Sequence, residues 1–115
     1  MTCNAFKAGK INFDDLNFSK EYQDKLCYSQ SKLANVLFTL KLSNLLKDTG
    51  VRVFSVDPGI TQTNILRHSS YSQSSFSNIF IGPIFSTALK FPSKGAESII
   101  FCCLEPDLIS GSLYK

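Results

Sequence analysis

DKLCYSQSKLANVLFTLKLSNLLKDTGVRVFSVDPG, residues 24–59, divides into two elements with a sharp joint between them. From Asp24 to Asp48, Leu26, Leu33, Val36, Leu37 and Leu40 recur at three- and four-residue steps, the spacing of a helix face. Phe38, Leu42, Leu45 and Leu46 carry apolar character round the other side. That predicts a helix that is buried or lies at a subunit interface. Asp48-Thr49-Gly50 stops it. Val51-Arg52-Val53-Phe54-Ser55-Val56 is short, β-branched and nearly continuous in apolar character. It suits a strand buried on both faces of a parallel sheet, and Asp57-Pro58-Gly59 ends it.

Upstream, residues 1–24 read as a polar loop with Ile11, Phe13, Leu16 and Phe18 as apolar pins. Downstream, residues 60–80 are polar and serine-rich, and an apolar segment from Ile79 to Phe91 is broken by Gly82-Pro83. Pro92-Ser93 opens another helix carrying Ala96, Ile99, Ile100 and Cys103, and Gly111 to Tyr114 begin a final strand. Helix, strand, loop, helix, strand is an α/β order. One full strand and a stub do not make a sheet, so an incomplete α/β parallel sheet is expected. Its open strand edges predict poor solubility for the chain expressed alone.

Composition narrows the function classes. A chain of 115 residues allows one domain, and 43% hydrophobic with 18% charged residues is a globular balance. A net charge of +3 without a run of like charges argues against nucleic acid. Cys3, Cys27, Cys102 and Cys103 fit no zinc spacing, and His68 is the single histidine. Reduced thiols, Cys102 and Cys103 in the core, no metal and a reducing, intracellular compartment are expected. MTCNAFKAGK has no apolar signal core, and no apolar run is long enough to span a membrane.

Tyr28 and Lys32 stand four apart on the expected helix, hence one turn apart on one face. An ammonium beside a phenol favours the phenolate and lowers the Tyr pKa, so the pair can move a proton near neutral pH. Hydride transfer at a carbonyl carbon needs such a proton at the oxygen. Alone, Tyr-x-x-x-Lys is a weak motif, with roughly 0.3 chance matches in a chain of this composition. Standing alone it reads first as an exposed aromatic beside a solvated lysine.

Context adds specificity. The Tyr-x-x-x-Lys helix, the buried strand after it, and Pro58-Gly59 followed by Thr61 and Thr63 together resemble the short-chain dehydrogenase/reductase family. Ser31-Lys32-Leu33-Ala34-Asn35, Asp57-Pro58-Gly59, Arg67-His68-Ser69 and the loop Gly9 to Leu16 resemble its retinol-dehydrogenase-like branch. The resemblance covers essentially the whole chain. It implies the C-terminal portion of a Rossmann-like, doubly wound parallel-sheet domain over residues 1–115, with the N-terminal cofactor-binding half absent. It implies Tyr28 as acid/base, and Lys32 as its support and as a ligand of the nicotinamide ribose. Pro58, Gly59, Ile60, Thr61 and Thr63 would line the nicotinamide and its phosphate. The cofactor implied is NADP, with NAD the alternative.

Within residues 64–80, Leu66, Tyr71, Phe76 and Phe80 would form a substrate lid over a lipophilic alcohol or carbonyl such as retinol or retinal. The same residues would equally suit core packing or contact with a membrane surface, the endoplasmic reticulum in a full-length parent. His68 reads as a surface or lid-packing residue. The family also implies a homodimer through helix 24–48. Without the other half, the isolated chain is expected to be inactive, and a non-catalytic piece that associates through that helix is the alternative function.

The chain departs from the family pattern in two places. Its glycines never approach G-x-G-x-x-G. Thr2, Cys3 and Asn4 occupy the region where a catalytic serine is expected. Thr2 is the residue there that offers a hydroxyl.

Overall fold

The computed structural model describes residues 1–63 and 89–115; the residues expected to form a lid, Leu66, Tyr71, Phe76 and Phe80, lie outside them, as does His68. A 3-10 turn over Asn4–Ala8 is followed by helix α1 (Asp24–Leu45), strand β1 (Ser55–Val56), helix α2 (Pro92–Leu104) and strand β2 (Leu113–Tyr114). β1 and β2 run parallel, with Ser55 opposite Leu113 and Val56 opposite Tyr114.

β1 is shorter than the expected Val51–Val56 strand. Its ladder partners span only residues 110–114. Val53 N–H donates to Ser110 Oγ (3.0 Å), and Gly111 N–H donates to Val53 O (2.8 Å). Ser55 N–H then donates to Ser112 O (3.0 Å), and Asp57 N–H to Tyr114 O (2.8 Å). Beyond that reach the strand loses cover, and Val51 is 53% exposed. The buried part is Ser55, Val56 and Asp57. On the other edge of β1, Thr2 N–H donates to Val56 O (2.8 Å), which ties the N-terminal residues to that edge by one backbone bond. Phe54 meets Tyr114 edge to face at 5.7 Å, a geometry aromatic pairs prefer.

α1 opens with Asp24, whose charge suits a helix N-terminus. It closes three residues before Asp48, where Thr49 N–H and Oγ1 both bond Leu46 O. Its covered face differs from the expected one. Gln30, Thr39 and Ser43 are the buried residues, and Leu33, Val36, Leu42 and Leu46 are half-buried. Leu26, Leu37, Phe38, Leu40 and Leu45 are exposed. The reason is cover on one side only: among the described residues α1 packs against the 3-10 turn and β1. The buried hydroxyls are satisfied locally. Thr39 Oγ1 donates to Asn35 O, Ser43 Oγ to Leu40 O, and Ser55 Oγ to Thr39 Oγ1. This is how Ser and Thr tolerate a helix interior.

The N-terminal loop is seated on α1 by Gln30 rather than by its aromatic pins. Gln30 Oε1 accepts Asn12 N–H (2.7 Å), and its Nε2 donates to Leu16 O (2.8 Å). Each bond is worth about 1 kcal/mol net. Phe13 and Leu16 are exposed, while Ile11 and Phe18 are half-buried. Asp15 accepts the Lys20 and Ser19 N–H groups, which hold its carboxyl below the usual range, Lys20 most. α2 begins with Pro92 at the first helical position, where a missing N–H costs nothing. It buries Gly95 and Cys102 and leaves Cys103 exposed, so only one of the paired thiols is core. All four cysteines are free. No helix among the described residues is long and apolar enough to cross a membrane.

Candidate active site

Tyr28 lies near the start of α1 with Lys32 one turn on. Lys32 Nζ stands over the phenol ring, 5.1 Å from its centroid. The group at the hydroxyl is Cys3, whose thiol donates to Tyr28 Oη at 3.5 Å. Strand alternation sets this choice, because neighbours on an extended strip point to opposite faces. Cys3 is fully extended. Thr2 is only 2% exposed, and its Oγ1 is spent on Lys32 O (3.1 Å). The expectation that Thr2 supplies a hydroxyl at the site is therefore corrected: the position belongs to the Cys3 thiol.

The expected lowering of the Tyr28 pKa is also reversed. It is pushed up to about 12. Partial burial contributes most, followed by the Cys3 hydrogen bond, the Cys3 charge and the Asp57 charge. Burial and nearby negative charge disfavour phenolate, and the Cys3 bond does so when the Tyr28 O–H is its donor and the sulfur its acceptor. Lys32 exerts a cation–π attraction on the ring instead of stabilising the oxygen.

The turn after β1 is built on Asp57. Its carboxylate is 4% exposed, and Oδ1 accepts Gly59 N–H at 2.9 Å. Gly59 has φ +75°, a conformation that costs glycine nothing. Ile60 is exposed. Thr61 pairs with Lys90 in a parallel bridge, with Lys90 N–H on Ile60 O and Gln62 N–H on Lys90 O. Residues 62 and 90 are thereby clasped at the base of the undescribed segment. Thr61 Oγ1 lies 3.5 Å from Gly59 O, and Thr63 stands at the end of the described stretch. Lys90 Nζ sits 3.2 Å from where a Cβ on Gly59 would stand.

A bare glycine backbone with an ammonium over it is a fitting seat for an anionic group such as a cofactor phosphate. Cys3, Lys90, Asp57 and Lys115 were not singled out as site residues from sequence. Alternation from Thr2 is the one signal that could have found Cys3. No cluster of three metal-ligating side chains occurs among the described residues.

A phenol, its lysine and a glycine turn at the end of a parallel strand match more than a general α/β pattern. The family model for short chain dehydrogenase matches residues 15–74, just over half of the chain. The chain belongs to the short chain dehydrogenase family. It is 40% identical to human retinol dehydrogenase 13 over 113 residues, covering 96% of this chain and 34% of that protein. It is 37% identical to human retinol dehydrogenase 14 over 115 residues, covering 95% of this chain and 32% of that one. The chain thus spans about a third of the length of these curated relatives. A crystal structure of an uncharacterized protein from Mycobacterium paratuberculosis superposes with a TM-score of 0.63 at 30% identity, over 97% of this chain and 34% of that chain. The two-stranded parallel sheet and its helices are accordingly an incomplete portion of the family's α/β fold.

Proposed function

We propose that the full-length protein built on this chain is an oxidoreductase. It would transfer hydride between NADP(H) and a lipophilic alcohol or carbonyl of the retinol/retinal kind. The observation that carries the reading is Tyr28, with Lys32 over its ring and a donor, Cys3, on its oxygen. When bound, a nicotinamide cofactor supplies or accepts the hydride. The chain's own groups handle the rest. Tyr28 Oη holds the proton destined for the carbonyl oxygen. Cys3 orients that hydroxyl, and Lys32 fixes the ring. Gly59, Thr61 and Lys90 offer a backbone, a hydroxyl and a cation to the cofactor's phosphate.

Leu66, Tyr71, Phe76 and Phe80 are proposed as the lid on the lipophilic substrate. A membrane surface, such as the endoplasmic reticulum, would be the source of that substrate. The preference for NADP over NAD and the choice of a retinoid rest on likeness to the retinol dehydrogenases. The test is turnover of retinal by the full-length protein with NADPH and NADH in parallel. NADPH oxidation that depends on retinal supports the reading. Absence of turnover with either cofactor and with any lipophilic aldehyde contradicts it.

A second reading has its own observation. Leu26, Leu37, Phe38, Leu40 and Leu45 expose 47–65% of their surface on α1, an apolar area of the kind that marks interaction sites. Under that reading the chain associates with itself or a relative through helix 24–48 and does no chemistry. Concentration-dependent association without turnover would favour it.

A further inference from the structure

We propose that Lys90 is the anion-recognising residue of the turn after β1, and that it takes the phosphate on the nicotinamide side of the cofactor, serving NADPH and NADH alike. The inference deepens the cofactor role proposed for that turn and rests on it.

The turn cannot hold an anion with its own glycine amide. Gly59 N–H is spent on Asp57 Oδ1 (2.9 Å), and what Gly59 offers is a bare Cα at φ +75°. Lys90 lies over that bare position. Its Cδ, Cε and Nζ pass 3.7, 3.4 and 3.2 Å from where a Cβ on Gly59 would stand. Two backbone bonds fix the lysine: its N–H donates to Ile60 O (3.0 Å), and its O accepts Gln62 N–H (2.9 Å). Thr61 stands directly opposite in the parallel bridge, and opposed residues of paired extended segments point to the same face. An ammonium and a hydroxyl thus share one face of the turn. The charge of Lys90 has no carboxylate to answer it. The ion pairs among the described residues belong to Lys94 and Lys115, and residues 64–88 contain neither Asp nor Glu. An exposed ammonium, held by its backbone and without an internal counter-charge, suits a phosphate.

Which phosphate follows from where Tyr28 lies. Thr2 N–H is tied to Val56 O at the end of β1, and the next residue, Cys3, has its sulfur 3.5 Å from Tyr28 Oη. Gly59 is three residues beyond Val56, and so within about 10 Å of it. A nicotinamide placed for hydride transfer beside Tyr28 has its own phosphate one ribose away. The 2′-phosphate that distinguishes NADPH sits on the far adenosine. Lys90 therefore reads a charge that both cofactors carry, and selection between them belongs to other groups.

The test is equilibrium binding of NADPH and of NADH to the full-length protein, followed by the cofactors' own fluorescence. Lys90→Met keeps an apolar stem over Gly59 and removes the cation. It should raise Kd for both cofactors by the same factor, about tenfold. Lys90→Arg restores the cation and should bind both as the parent does. A loss confined to NADPH puts Lys90 at the 2′-phosphate and overturns the proposal. So does an unchanged Kd for both cofactors. An equal loss in Lys90→Met and Lys90→Arg overturns it too, because the shape of the stem and not its charge would then be responsible. If the parent binds neither cofactor, the oxidoreductase reading falls together with the inference. If the parent binds NADPH and reduces retinal while Lys90→Met binds unchanged, the inference falls alone.

Discussion

Gly9 and Gly95 each bring two elements too close for a side chain, yet against different kinds of neighbour. A Cβ on Gly9 would stand 2.5 Å from Ser29 O and 2.9 Å from Leu33 Cβ. Those atoms belong to the helix that carries Tyr28, and its backbone has nowhere to go. A Cβ on Gly95 would stand 2.7 Å from Thr61 Oγ1 and 3.1 Å from its Cγ2. That neighbour is the end of a side chain, and it can rotate away. The first glycine therefore guards stability, and the second guards the placement of a candidate cofactor ligand.

The largest effect should come from Gly9→Ala, which forces the loop off α1 at a cost of about 3 kcal/mol. Denaturant unfolding checks it, and an unshifted midpoint would break the comparison. Gln30→Ala comes next. It strips the Asn12 amide and the Leu16 carbonyl of their partner and should cost about 2 kcal/mol. Parity with Gly9→Ala would show that the loop is held as much by hydrogen bonds as by close approach. Gly95→Ala should cost under about 1 kcal/mol of stability, because a rotamer change relieves the clash. It should instead raise the KM for NADPH several-fold. Thr61→Val should do the same, and the double variant should add nothing further, as for residues sharing one contact. Additive losses would place the effect of Gly95 elsewhere.

A separate effect is on pH dependence. Tyr28 keeps its proton in the fold up to about 12, against 10.0 ordinarily. The unfolded chain binds fewer protons in that window. The contribution to stability is therefore full below the ordinary value and disappears as pH climbs to about 12. Alkaline unfolding curves should show a decline over that window that Tyr28→Phe flattens.

Much of the architecture was legible in the sequence. The helix ending near Asp48, the start of α2 at Pro92 and the strand stub at Gly111 to Tyr114 are local signals of periodicity, proline and glycine. The buried face of α1 was not legible. Its leucines circle the helix, so their pattern names no single face. Thr39 and Ser43 hide their polarity in hydrogen bonds to the preceding turn. The extent of β1 failed for a related reason: its length follows from its partner at 110–114, a distant part of the chain. At the site, Tyr28 and Lys32 announce themselves by spacing. Cys3 does not, because the pairing of Thr2 with Val56 decides which way it points. Asp57 reads as a turn residue until Lys115 and Gly59 are seen on its two oxygens.

The central claim is that Tyr28 hands over the proton. The most direct measurement is NADPH-dependent reduction of retinal by the full-length protein and its Tyr28→Phe variant, with cofactor binding measured alongside. The account predicts that Tyr28→Phe binds NADPH as the parent does and loses about 10²- to 10⁴-fold in kcat. Equal kcat for the two proteins would contradict it.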